Sequence, residues 1–293
     1  MMIRRCVLFC CLALVAAERL VAAEDFQPLA TIRDQRLNES SGMAASRHHP
    51  GSLWVHNDSG DSARLFLVGP DGQIQALVNV TAALARDWED MCSFEIDGEA
   101  WLLIGDIGDN DKQRTDSRFP CHLYLLKEPR IPRSNGQPIV SWPISIDVQF
   151  DYDDGPWNCE GVAVDVERRE ILLLTKAVPH RCGLFVLPLD LKSPEQKRTA
   201  KRIHSPFVPF ATALDIDPSG RTMVVGSMLD GLIIRRQGNQ NWTEAAEQTT
   251  AILPLPQRQQ GETICFDLDG QWLFLNSEKT DQPLWKIPVP ARQ

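Results

Sequence analysis

Beyond residue 23 the sequence has no apolar run of the roughly 18 to 20 residues that a membrane-spanning helix needs. It has no C-x-x-C pair, which argues against a zinc site. Its histidines, His48, His49, His56, His122, His180 and His204, show no metal-ligand spacing. No G-x-S-x-G elbow, Walker loop or zinc-protease signature is present. Basic residues are in the minority, with 30 Lys and Arg against 39 Asp and Glu and a formal charge of -9. Such a surface repels nucleic acid and anionic lipid, so neither is an expected partner. A phosphorylated ligand stays open if a bound cation intervenes.

What is present begins with a leader. Arg4 and Arg5 precede an apolar stretch that ends near Val21-Ala22-Ala23, the small-residue pattern cut by a signal peptidase. Residues 1–23 are expected to be a removed signal peptide and residues 24–293 a single domain, secreted or periplasmic. Without the leader, Lys and Arg fall from 30 to 27 and Asp and Glu from 39 to 38, so the net charge moves from -9 to -11. Five cysteines remain, Cys92, Cys121, Cys159, Cys182 and Cys265, and an odd number leaves at least one thiol unpaired. Buried free thiols and a disulfide are both open, and export tilts the expectation towards Cys159 with Cys182.

A short apolar run that stops at small polar or charged residues recurs five times. The runs are Leu53 to His56 before NDSGD, Trp101 to Ile104 before GDIGDN, Ile171 to Leu174 before TK, Met223 to Val225 before GSMLD, and Trp272 to Leu275 before NSEKTD. Each is preceded by a small-residue strand such as GMAAS, GVAVD or TICFD and followed by a third strand. Short strands with frequent turn signals and no long helical period indicate an all-β chain. A unit of about 50 residues fits a four-stranded propeller blade better than a solenoid coil. The last unit stops after its third strand at Val289, and Gln27 to Ile32 offers a spare strand that would close the ring and remove both edges. The expected architecture is one β-propeller of five four-stranded blades. Six is the alternative, because Pro129 to Trp157 is long. The innermost strands carry Gly42, Ala44, Ala45, Gly161, Ala163 and Ala213, where blades converge, and Trp54, Trp101 and Trp272 are expected to be buried between blades.

The repeat also sorts the acidic residues. On one face, the turns GPDG, IDGE, DPSG and DLDG need their Asp and Gly for backbone dihedrals. The opposite face gathers carboxylates that no blade requires. Aligning the units places Glu89, Glu160 and Glu262 at one position, with Ser41 and Thr212 in the other two and Glu39 nearby. NDSGD and DIGDN each bring two Asp together across a Gly, adding Asp58, Asp106 and Asp109. Like charges at such spacing raise one another's pKa or demand a cation. The set Glu39, Asp58, Glu89, Asp106, Asp109, Glu160 and Glu262 is therefore the candidate ligand set for an axial divalent ion, calcium first because hard oxygens suit it, magnesium second. The competing reading is a water-filled channel of solvated carboxylates, partly neutralised by Lys176 and Lys279.

ESSG (Glu39 to Gly42), W-x-H-N-D-S-G-D (Trp54 to Asp61), D-W-E-D (Asp87 to Asp90) and D-I-G-D-N (Asp106 to Asn110) together resemble a family of uncharacterised secreted bacterial propeller proteins, with EGVAVD from Glu160 and GET from Gly261 extending the likeness. EGVAVD followed by a strand also looks like the first strands of phytase-like and gluconolactonase-type propellers, a resemblance that implies a divalent ion in the axial cavity. The chain lacks the longer acidic signatures of phytases, and five units do not match six blades, so no catalytic residue is carried over. Two functions are expected. One is a monomeric propeller that binds a small molecule, glycan or protein on its acidic face, the ion being structural. The other is a metal-dependent hydrolase of an ester, lactone or phosphoester, with Glu89, Asp90 or Glu160 activating water and Lys176 or Lys279 holding an anionic group.

Overall fold

The computed structural model describes residues 26–291 except 111–113, 115–119, 133, 135, 179–180, 207 and 209. The expected signal peptide and His180 lie outside the described residues.

The chain is all-β, with a single eight-residue α-helix among the described residues. After β1 (Pro28–Ile32), the first unit is β2 (Ser40–Ala45), β3 (Leu53–Asn57), β4 (Arg64–Val68) and β5 (Ile74–Thr81). The second is β6 (Trp88–Ile96), β7 (Glu99–Asp106) and β8 (Cys121–Lys127), followed by β9 (Ile139–Pro143) and β10 (Ile146–Tyr152). The third is β11 (Cys159–Asp165), β12 (Glu170–Thr175), β13 (Leu184–Pro188) and β14 (Glu195–His204). The fourth is β15 (Ala211–Ile216), β16 (Thr222–Ser227) and β17 (Gly231–Arg235), then α1 (Trp242–Thr249) and β18 (Thr250–Leu253). The last is β19 (Thr263–Phe266), β20 (Trp272–Asn276) and β21 (Gln282–Pro288). Each apolar run is thus a second strand, and each polar stop is where it leaves the sheet.

Consecutive strands pair antiparallel within each unit, and β1 pairs antiparallel with β21. The long stretch after β8 supplies two edge strands. β9 runs parallel to β5 and covers the outer edge of the first unit, while β10 pairs with β8. β10 also runs parallel to β14, so the second and third units share one eight-stranded sheet. Pairing or covering an edge leaves fewer free backbone groups to template association.

The first strands β2, β11, β15 and β19 are buried along their whole length. They touch one another in cyclic order, β2 with β6, β6 with β11, β11 with β15, β15 with β19, and β19 with β2. Small residues allow this approach: a Cβ at Gly161 would lie 2.9 Å from the Leu214 Cβ on the neighbouring strand. Two buried carboxylates link these first strands. Asp90 Oδ2 accepts the backbone N–H of Val162 (2.9 Å) and of Leu214 (3.0 Å), and its Oδ1 accepts that of Met91 (2.8 Å). Asp215 Oδ2 accepts Phe266 N–H at 2.8 Å, linking β15 to β19. First strands that meet at a narrow axis cannot pair with each other as a flat sheet, and these side chains supply the acceptors that their N–H groups would otherwise lack.

Three expectations need correction. Trp54 and Trp101 are buried, but Trp272 is 39% exposed, because it opens β20 at the solvent end with Lys286 over its ring at 4.9 Å. Cys159 and Cys182 form no disulfide: the five cysteines among the described residues are all free and buried. The Cys159 thiol points at the Leu174 carbonyl (3.4 Å) and that of Cys182 at the Thr175 carbonyl (2.8 Å), in two different core clusters. A reducing agent is therefore expected to leave the melting temperature unchanged within about 1 °C, since no cross-link constrains the unfolded chain; a drop on adding dithiothreitol would contradict this. The helix α1 also lacked a sequence signal of useful length. Its Asn241 and Glu244 form a capping box, and its Trp242 indole donates to Asp165 at 2.9 Å beside a buried Arg236–Asp165 ion pair.

Candidate functional site

The geometry of the acidic face begins with a backbone irregularity. Where β2, β11 and β15 enter their sheets, one residue is left over against its partner strand: Ser41 between the Ser40–Asn57 and Gly42–His56 pairs, Glu160 in the third unit, and Thr212 in the fourth. In β6 two residues, Glu89 and Asp90, stand against the single Gly105 of β7. A bulge of this kind re-aims a side chain out of the strand's alternation. The Ser41 hydroxyl donates to the Glu89 carbonyl on β6 (2.5 Å) and that of Thr212 to the carbonyl of Gly261 (2.9 Å), two residues before β19. Glu89 and Glu160 occupy the same structural position, and Glu262 immediately precedes β19.

Asp58, Asp87 and Glu89 converge, each with a carboxylate oxygen within 4.8 Å of the others. Asp58 follows β3 and is held by its N–H on the Glu39 carbonyl at 2.7 Å. Asp87 precedes β6, and its carbonyl accepts the N–H groups of Ile107 (3.1 Å) and Gly108 (3.2 Å). Gly108 gives the trio its room, because a Cβ there would lie 2.2 Å from Glu89 Oε1 and 2.5 Å from Asp87 Oδ2. Glu89 is only 3% exposed, and its Oε1 has no hydrogen-bond partner. Burial, and then the charges of Glu160, Asp58 and Asp87, push the Glu89 carboxyl well above the usual range. Burial and the neighbouring Asp58 raise Asp87 to about 6, and burial raises Asp58 as well. A cavity of about 360 Å³, lined by Arg86, Asp87, Gly108, Asp109 and Arg114, opens beside the trio.

Asp106 and Asp109 stand outside the trio. Asp106 is buried in an ion pair with Arg114 and accepts the N–H of Asp87 at 3.1 Å, while Asp109 accepts the N–H of Arg114 at 2.8 Å. The DIGDN loop thus anchors Asp87. Glu160 accepts Lys176 Nζ at 3.0 Å and Asn158 Nδ2 at 2.7 Å, and burial holds its carboxyl at about 7 against the pull of Lys176. Glu262 is held at about 7 mainly by burial, and its Oε2 is buried without a partner. Lys279 lies 3.7 Å from Glu39 and 3.4 Å from Glu278, so both expected cations are engaged by carboxylates. Burial and the charges of Glu262 and Glu39 raise Glu278 to about 7.

Two residues change role. Asp90, expected as a possible water-activating carboxylate, is fully buried and consumed by three backbone N–H groups, so it staples strands instead. Asp87 belongs to the trio although only its place in DWED marked it. His56, buried against Trp88 with ring centroids 5.2 Å apart, is pushed down by burial to about 4 and stays neutral. On the far face the turn residues do what the sequence implied: Asp217 accepts the N–H groups of Arg221 and Thr222, and Asp267 those of Gln271 and Trp272.

No family model matches the sequence, and no curated protein matches it. Among solved structures, a gluconolactonase from Xanthomonas campestris is similar over 91% of this chain and 96% of its own, with 14% identity and a TM-score of 0.48. A chain of a nidogen/laminin complex is similar over 85% of this chain and 84% of its own, at 10% identity and a TM-score of 0.45. A PQQ-bound aldose sugar dehydrogenase from Streptomyces coelicolor is similar over 90% of this chain and 97% of its own, at 11% identity and a TM-score of 0.44. With scores below 0.5, none of the three bears on the chemistry of this site.

Proposed function

We propose that the chain is an exported, monomeric five-bladed β-propeller that binds a divalent cation, calcium first, through Asp58, Asp87 and Glu89 and uses it to hold an oxygen-bearing ligand on its acidic face. The cyclic contact of five first strands and the β1–β21 pairing support the ring. The observation that carries the cation is the buried, partnerless Glu89 Oε1 beside two further carboxylates. With Glu89 buried and Asp58 and Asp87 half-buried beside it, full ionisation of all three is unfavourable without a counter-charge. The donors are all hard oxygens, and calcium accepts six to eight of them, leaving room for water or ligand beside the trio. Calcium titration followed by calorimetry and by melting in EDTA tests this. Binding is expected to raise the melting temperature by several degrees, as any ligand of the folded state alone must; identical melting in calcium and EDTA would sink the proposal.

The raised carboxyls imply a pH dependence. Without cation, a group at about 6 to 7 in the folded chain and near 4 to 4.5 when unfolded binds more protons folded than unfolded in that interval. Stability of the cation-free protein is therefore expected to fall as pH rises from about 4.5 to 7 and then level. Calcium affinity runs the other way, since the cation must displace protons: it is expected to weaken at least ~10-fold from pH 7.5 to 5.5. Calorimetry at the two pH values checks this, and equal affinities would contradict it.

A hydrolase is the second reading, favoured by Glu160 and Glu262, buried carboxyls at about 7 outside the trio. A group near the working pH is suited to act as a general base. When bound, the cation would polarise a substrate carbonyl or phosphoryl oxygen. Loss of turnover of lactones or phosphoesters in Glu160→Gln, with calcium binding kept, would establish catalysis; a wild-type protein inert on that panel leaves the binding role.

A further inference from the structure

A buried guanidinium and a buried carboxyl lie side by side where the fourth and fifth units meet. Arg258, in the loop between β18 and β19, is only 7% exposed. One arm is held, since Nη2 donates to the carbonyl of Ser227, the last residue of β16, at 2.8 Å. Its Nε and Nη1 are buried with no partner. Glu262, just before β19, is 4% exposed, and its Oε2 is equally bare. The two are neighbours across Gly261, where a Cβ would sit 2.3 Å from Arg258 Cζ. Burial lowers the Arg258 guanidinium to about 10, against the pull of Glu262 and then of the exposed Asp230. Even so, no hydrogen bond joins Nε or Nη1 to Oε2. Lys176, the other cation acting on Glu262, has its ammonium on Glu160 at 3.0 Å.

A buried charge is costly unless it is paired and hydrogen-bonded. Adjacent groups of opposite sign that leave each other's hydrogen-bonding atoms free are completed by a ligand that carries both signs. A hydroxyl can accept from Arg258 and donate to Glu262, but it neutralises neither. A carboxylate on the free N–H groups of Arg258, joined through one carbon to an ammonium on Glu262 Oε2, completes both with charge-assisted hydrogen bonds. The surrounding field favours this orientation, because Glu160 and Glu278 stand near Glu262 and add to the pull on an ammonium there. We infer that Arg258 and Glu262 bind the zwitterionic backbone of a free α-amino acid, carboxylate on the guanidinium and ammonium on the carboxylate. The site uses none of Asp58, Asp87 and Glu89, so it stands apart from the cation centre proposed above.

The probes are glycine, which carries both groups, acetate and methylammonium, which carry one each, and ethylene glycol, which carries neither charge. Calorimetry in EDTA, at about pH 8 so that Glu262 is ionised, keeps carboxylates from reporting on a bound cation instead. Glycine is expected to bind at least ~10-fold tighter than each of the other three, the gain of one hydrogen bond between charged groups. Glu262→Gln is expected to bring glycine within about threefold of acetate, and Arg258→Met within about threefold of methylammonium. Melting of each variant checks that it is folded, and the comparison of probes on the wild type stands without them. Equal affinity for glycine and ethylene glycol would reduce the pair to a bridged polar contact and overturn the inference. So would a wild-type protein that binds none of the four probes, or a preference for glycine that survives both variants. Glycine binding of the expected kind in a protein that does not bind calcium would overturn the cation proposal alone.

Discussion

Gly108→Ala is expected to abolish the stabilisation that calcium confers, lowering calcium affinity by ~100-fold or more, the factor typical when a site loses its ligand geometry. The added methyl would sit 2.2 Å from Glu89 Oε1 and 2.5 Å from Asp87 Oδ2, where no atom can stay. Backbone shift is resisted, because the Gly108 N–H is bonded to the Asp87 carbonyl at 3.2 Å. The ends of the two acidic side chains must therefore swing away, and the trio is dispersed. Side-chain ends move at modest cost, so in EDTA the variant should melt near the wild type, within about 1 kcal/mol. The contrast between the two conditions is the readout. A calcium-induced melting shift of wild-type size would show that the cation does not use Glu89 and Asp87.

Asp90→Ala is expected to destabilise the protein by on the order of 3 to 5 kcal/mol. It removes the acceptor for Met91, Val162 and Leu214, on three different first strands, and leaves their N–H groups buried. Each orphaned group costs about 1 to 3 kcal/mol, and the strands cannot close on one another to share acceptors. Burial pushes the Asp90 carboxyl well above its usual range, so its acceptor geometry matters more here than its charge. Asp90→Asn keeps an acceptor oxygen and should recover a substantial part of the loss. Urea unfolding of both variants decides the point: a loss below about 1 kcal/mol for Asp90→Ala would mean that water reaches those amides. Because Asp90 adjoins Glu89 in the same bulge, the variant should also weaken calcium binding.

Much of the architecture was legible because it is local. Apolar runs of three or four residues that stop at Asn, Gly or Thr mark second strands, and the turn chemistry of DPSG and DLDG marks the face opposite the site. The spare strand at residues 27–32 could be matched to the incomplete last unit by counting. The common position of Ser41, Glu89, Glu160 and Thr212 also emerged from alignment, since a bulge recurring in the first four units shifts each sequence by the same step.

The remainder depended on partners distant in the chain. Asp106 and Asp109 look like ligands in DIGDN, yet Arg114 engages both. Asp90 and Glu89 are adjacent carboxylates with opposite fates, one spent on backbone amides and the other left with a bare oxygen. The stretch after β8 reads as material for a further blade but is divided between two existing sheet edges, because parallel partners were available at β5 and β14. Cys159 and Cys182 are close in sequence, but strand geometry aims their thiols at different carbonyls.

The sequence by itself determined the strands, the repeat and the face on which carboxylates gather, since hydrophobic period and turn chemistry act over a few residues. Only the tertiary structure decided which carboxylates converge. That choice depends on where neighbouring first strands meet and which donors they bring: burial of Glu89 on β6, with Asp58 and Asp87 half-buried in the loops beside it, turns three acids into a candidate cation centre.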